Sequence, residues 1–145
     1  MKKIISDFKR FNFKNEKEQA VIDSNYFSAY KGKLVIRTNR LRSGSFGVLF
    51  ITRKGRPYNI KQLIRHEYGH TEQLRQLGFL RYLLFIGIPS WKQWKKEIPY
   101  YERPWEITAD LFGGVTSRKH TEEKLAAGID YLATSKKRKI IRTLE

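Results

Sequence analysis

The stretch from Asn59 to Gly78 leaves this chain the least conformational freedom. Asn59 can cap a helix, and Ile60, Leu63, Ile64, Leu74 and Leu77 recur at helical spacing. Gly78 then stands where a helix is commonly stopped. The pattern predicts one long helix over residues 60–77. A helix of that length with one apolar face belongs at the centre of whatever packs around it.

A chain of 145 residues is long enough for a single core. No internal repeat and no Pro- or Ser-rich linker divides it, so residues 1–145 are expected to form one domain. A hydrophobic fraction of 40%, with 14% aromatics, argues against disorder. The absence of cysteine excludes disulfides, thiolate nucleophiles and Cys-ligated metals. The longest uncharged apolar run, Tyr82 to Trp91, is well short of the roughly 20 residues of a membrane span. Asp7, Lys9 and Arg10 follow the N-terminal lysines too soon for a Sec signal. A cytoplasmic location, or delivery by a specialised secretion system, is the expectation.

Around the central helix the other elements are shorter. Asn15 to Ser24 reads as a short helix, Lys33 to Thr38 as a β-branched strand, and Phe46 to Thr52 as a second strand after a turn at Arg42–Ser45. Lys54 to Pro57 is turn chemistry. Phe79 to Ile88 suits a buried helix ended by Pro89. Pro104 opens a helix from Trp105 to about Phe112 that Gly113-Gly114 terminate. Thr121 caps a last helix, Glu122 to about Ala133, with the basic tail from about residue 135 as its frayed extension. The expected fold is α+β, a short sheet packed on the central helix with a mostly helical second half.

The formal charge of +16 is unevenly placed. From Ser24 to Arg65 there are ten basic residues and no acid, whereas residues 66–134 balance at nine against nine. Such a field attracts polyanions, including nucleic acid, but specifies no chemistry. If segment 31–65 borders a cleft, acidic substrates are favoured.

Within the central helix stands His66-Glu67-Tyr68-Gly69-His70, the pattern H-E-x-x-H. The i, i+4 spacing puts both imidazoles on one face, where they can clamp a zinc ion. Glu67, one residue round, reaches the open side of the metal without ligating it. There it can take a proton from an activated water and pass it to a leaving amine. Gly69 costs about 1 kcal/mol against Ala in a helix, and its small size is expected to leave room near the metal.

Zinc needs a third protein ligand and an open fourth position. Gln76 stands where a metzincin would place histidine. Downstream, Glu106 and Asp110 share a helical face, so Glu106 can ligate while Asp110 hydrogen-bonds a ligand histidine. Glu102 and His120 compete for the ligand role, although Pro104 separates Glu102 from the Glu106 helix. Tyr101 and Tyr100 could donate to an oxyanion, and His120 could assist there. Trp91, Trp94 and Trp105 read as core or cleft wall, or, with Lys92, Lys95 and Lys96, as a nucleic-acid stacking surface.

H-E-x-x-H followed by E-x-x-x-D on a later helix resembles the gluzincin branch of zincin metallopeptidases, as in the thermolysin family. That resemblance implies a small zincin-like fold with His66, His70 and Glu106 on zinc, Glu67 as base, and Asp110 supporting His66. A narrower likeness covers about residues 25–115. YFSAYKGKLVIRTN, SGSFGVLFI, HEYGHTEQL, YLLFIGIPS and YYERPWEITADLFGGV are together similar to the metallopeptidase domains at the C-termini of bacterial polymorphic toxins of the Rhs type. It implies a toxin or effector protease acting on protein substrates, with an immunity protein as partner. A peptide substrate is expected to add to the strand Phe46–Thr52. Two other functions compete: a catalytically inert zincin that only binds, and a basic nucleic-acid-binding domain with structural histidines.

Overall fold

The computed structural model describes residues 17–39, 43–52 and 59–138. Arg40, Arg42, Arg53, the turn Lys54–Pro57 and the tail from 139 lie outside the described residues, as does the N-terminal segment weighed for a signal.

The sheet begins at Lys31-Gly32. Both residues have positive φ, 46° and 78°, as a two-residue hairpin turn requires. Phe27–Tyr30 (β1) therefore folds back antiparallel onto Lys33–Thr38 (β2), with Tyr30 opposite Lys33. Nothing in Phe-Ser-Ala-Tyr announces a strand, because Ser and Ala are weak strand formers; pairing with β2 imposes it. The second expected strand is shorter than Phe46–Thr52. Gly47, at φ 79°, turns the chain, and only Leu49–Thr52 (β4) is extended. Gly44–Ser45 (β3), expected as turn, pairs antiparallel with β4, while β4 runs parallel to β2 with Val35 opposite Leu49. The order β1-β2-β4-β3 puts β4 inside the sheet. The strand expected to receive a substrate is thus paired on both sides, and the edges of the sheet are β1 and β3.

Glu18–Asp23 (α1) lies near β1, with Tyr30 Oη donating to Glu18 Oε1 (3.1 Å). The central helix, Ile60–Leu77 (α2), has the bounds its sequence predicts. Asn59 Oδ1 accepts from Gln62 N, and Gly78 ends it at φ 77°. One side of α2 joins the sheet in a core of Val21, Tyr30, Val35, Leu49, Ile51 and Ile64. The other helices build a second core of Leu77, Tyr82, Ile86, Trp105 and Leu132.

Past Gly78 the chain is helical at Phe79–Tyr82 (α3), widens to a π-helical turn at Leu83–Gly87, and resumes at Ile88–Trp91 (α4). Pro89 does not end this segment as expected. It has no N–H for the Phe85 carbonyl, and the Tyr131 hydroxyl donates there instead (2.7 Å). The wide turn absorbs the rest, with Ile88 N–H reaching Leu83 O.

Pro104–Gly113 (α5) packs across α2, and Glu122–Lys137 (α6) packs on α5. Gly114 closes α5 in left-handed conformation, with Val115 N on Asp110 O (3.0 Å). Thr121 caps α6, which continues past Ala133. Among the described residues, no helix is long and apolar enough to cross a membrane.

The α2–α5 crossing depends on two glycines. A Cβ at Gly69 would lie 1.8 Å from Ala109 O, and one at Gly113 would lie 1.8 Å from Arg65 O. Each helix lays a bare backbone against the other. Gly69 therefore brings the second helix close, rather than simply clearing space beside a metal.

Candidate metal centre

The close crossing sets the His66–His70 face of α2 opposite the Glu106–Asp110 face of α5. His66 Nε2 lies 3.0 Å and His70 Nε2 3.3 Å from Glu106 Oε2. These three buried groups offer ligand atoms within 4.8 Å of one another and could hold a metal ion.

The tautomers follow from what lies behind each ring. His66 Nδ1 donates to Asp110 Oδ1 (2.6 Å), and His70 Nδ1 donates to Gln73 Oε1 (2.8 Å). Gln73 is held amide-outward by its own donations to Trp105 O and Thr108 Oγ1, both at 2.6 Å. Both Nε2 atoms are thereby aimed at a carboxylate oxygen. A proton between ring and carboxylate satisfies such a contact, and once the Nε2 protons leave, two imidazoles with one carboxylate are a donor set that fits zinc.

His66 holds such a proton strongly. Burial opposes a charged His66, yet the hydrogen bonds to Asp110 and Glu106 prevail and raise its pKa to about 10. Burial would likewise keep Glu106 neutral, but His70 and His66 hold it far below the usual carboxylate range. Asp110 is held low in the same way, burial being outweighed by Arg118, His66 and His120.

Glu67 is different. It is 5% exposed, and its Oε2 has no hydrogen-bond partner. Burial raises its pKa more than His70 and His66 lower it. It lines, with His70, a cavity of about 430 Å³ whose walls also include Ser43–Phe46 and Tyr82, Leu83, Ile86 and Trp91. The π-helical turn thus forms one wall of the cleft.

The remaining sequence candidates separate. Tyr100 lines the cavity, and its hydroxyl is 3.4 Å from Ser90 Oγ, which donates to Glu106 Oε1 (3.1 Å). Burial and the nearby Glu106 push the Tyr100 phenol well up, so it stays protonated at neutral pH. Tyr101 packs its ring perpendicular to that of His66 (5.5 Å between centroids) and is not among the residues lining the cavity. His120 Nε2 bonds Asp110 Oδ2 (2.8 Å), behind the ligands rather than among them. Glu102 pairs with exposed Lys124 (2.8 Å). Trp105 is core, Trp91 is cavity rim, and Trp94 is 50% exposed.

Three contributors were not singled out from sequence. Gln73 sits one turn after His70, a spacing that could have marked it. Ser90 reaches Glu106 only because α4 continues through Pro89. Arg118 grips Asp110 through Nε (2.8 Å) and Nη2 (2.6 Å) and lies 3.7 Å over the Tyr101 ring. It is placed by the loop that Gln62 tethers through Thr116 and Ser117.

Compared with protein-family models, curated proteins and solved structures, the chain matches none.

Proposed function

We propose that this protein is a zinc-dependent endopeptidase of the gluzincin type. The observation that carries the reading is the convergence of His66 Nε2, His70 Nε2 and Glu106 Oε2 beside the buried Glu67, whose Oε2 has no partner and which lines an open cavity. His66, His70 and Glu106 would hold the zinc. Bound there, the ion supplies Lewis acidity, which polarises a carbonyl and brings a water's pKa to about 7.

The chain's own residues account for the rest. The Glu67 carboxylate accepts the proton that water loses as its oxygen adds to the scissile carbonyl carbon. The same proton passes to the amide nitrogen as the C–N bond breaks, leaving an acid and an amine. The raised pKa of Glu67 suits a group that must both take and return that proton. Tyr100, protonated and on the cavity wall, is the donor for the developing oxyanion. Gly44 and Ser45 of β3 line the cavity, and an extended peptide would lie along that edge of the sheet. The toxin or effector role, and an immunity partner, rest on the sequence resemblance.

The test is expression of wild type and Glu67→Gln in a bacterial cell, with proteome-wide detection of new protein N-termini. New termini and growth arrest are expected with wild type and absent with the variant. Equal effects from both would remove Glu67 as base. New termini from neither, with zinc bound, would favour the inert binding module. Nucleic-acid affinity that ignores metal and falls steeply with salt would favour the nucleic-acid reading.

A further inference from the structure

The mouth of the cavity carries side chains that the hydrolytic chemistry does not use. Residues 91–97, Trp-Lys-Gln-Trp-Lys-Lys-Glu, are all exposed. Trp91 is 81% accessible, although tryptophan usually buries most of its surface. Trp91 and Gln93 belong to the same cavity lining as Glu67 and His70.

The segment is held in shape. Lys92 N bonds Ile88 O (2.8 Å) and Trp94 N bonds Pro89 O (2.9 Å). Gln93 and Lys95, on either side of Trp94, have φ of 51° and 56°. Left-handed backbone is unfavourable for residues with a Cβ and concentrates at functional sites. Lys92 and Lys96 make no ion pair among the described residues, and Lys95 Nζ lies 5.9 Å from the Tyr131 ring. Glu97 is the one acid in the segment. Phe46, which also lines the cavity, is 42% exposed and meets Phe79 edge-on at 5.1 Å.

We propose that residues 91–96 are a docking site for the substrate chain, which is an acidic segment bearing a large apolar side chain. The apolar group enters the cavity between Phe46 and Trp91, and the acidic residues lie along Lys92, Lys95 and Lys96. The proposal rests on the peptidase reading for its purpose. No described lysine or arginine lines the cavity itself; Lys92, Lys95 and Lys96 come next to it because in sequence they are interleaved with, or closely follow, Trp91 and Gln93, which do.

The experiment uses the full chain loaded with zinc, as Glu67→Gln for binding and as wild type for cleavage. Three fluorescein-labelled peptides serve as probes: Leu flanked by Glu, Leu flanked by Lys, and Ser flanked by Glu. The Glu–Leu peptide is expected to bind about tenfold or more tightly than either other, with the gap over the Lys peptide closing at high salt. Lys92→Glu/Lys95→Glu/Lys96→Glu should reverse the charge preference, and Trp91→Ala should erase that for Leu. Unchanged melting temperatures would show that both variants fold. Equal binding of all three peptides, no binding of any, or an intact preference in the variants overturns the proposal. So does a single-stranded oligonucleotide that displaces the Glu–Leu peptide at equal or lower concentration. Selective binding without wild-type cleavage refutes hydrolysis and leaves the docking site. Cleavage without selectivity refutes the docking site and leaves hydrolysis.

Discussion

His66 and His70 face the same carboxylate but are backed by different materials. Behind His66 the support is ionic, with Asp110 held by Arg118 and His120 as well as by the imidazole. Behind His70 the support is a neutral amide, Gln73, buried and fixed to α5 through Trp105 O and Thr108 Oγ1. A carboxylate behind an imidazole increases its basicity, whereas an amide chiefly fixes its orientation. The charged side tunes the site, and the neutral side locks the two helices in register.

The most damaging change should strike both sides together. In Gly69→Ala the new methyl would meet the Ala109 carbonyl at 1.8 Å, and both partners are backbone, so α5 has to move. A loss of about 3 kcal/mol or more in unfolding free energy is expected, along with loss of zinc binding in a competition titration. A variant that melts and binds zinc like wild type would show that the crossing does not set the site.

Asp110→Asn and Gln73→Leu then separate the two supports. Asp110→Asn should lower zinc affinity toward the upper end of roughly 10–100-fold, and Gln73→Leu toward the lower end. Equal losses would erase the distinction between them.

The pH response sharpens it further. His66 titrates at about 10 in the metal-free protein, above its ordinary 6.5. Its charged hydrogen bonds therefore stabilise the fold fully below about 6.5 and are lost as pH rises through about 10. Metal-free protein should melt at progressively lower temperature across that window. Asp110→Asn should flatten the slope, and Gln73→Leu should leave it. A flat wild-type profile would contradict the ionic account of the His66 side.

The parts of this arrangement legible in the sequence are those set by local period. His66, Glu67 and His70 lie on one α2 turn, Glu106 and Asp110 on one α5 turn, and caps at Asn59 and Gly78 bound α2 without help from elsewhere. What was not legible depends on distant partners. Phe27–Tyr30 is a strand because β2 lies beside it, and Pro89 stays within a helical segment because Tyr131 serves the carbonyl it leaves bare. Arg118 reaches Asp110 because Gln62 holds the loop before it. The meaning of Gly69 needed α5 in place, since one helix cannot show how close its neighbour comes. The charge behaved likewise. The longest acid-free basic run is conspicuous in sequence, yet the exposed segment that reaches the cavity through Trp91 and Gln93 has only a modest net charge.

If His66, His70 and Glu106 form one zinc site across the two helices, the metal content of the purified 145-residue chain must show it. Wild type and Glu67→Gln should each carry about one zinc per chain, and Glu106→Ala close to none. Wild-type protein that stays metal-free after incubation with excess zinc would contradict the account, as would a Glu106→Ala variant that keeps its full complement.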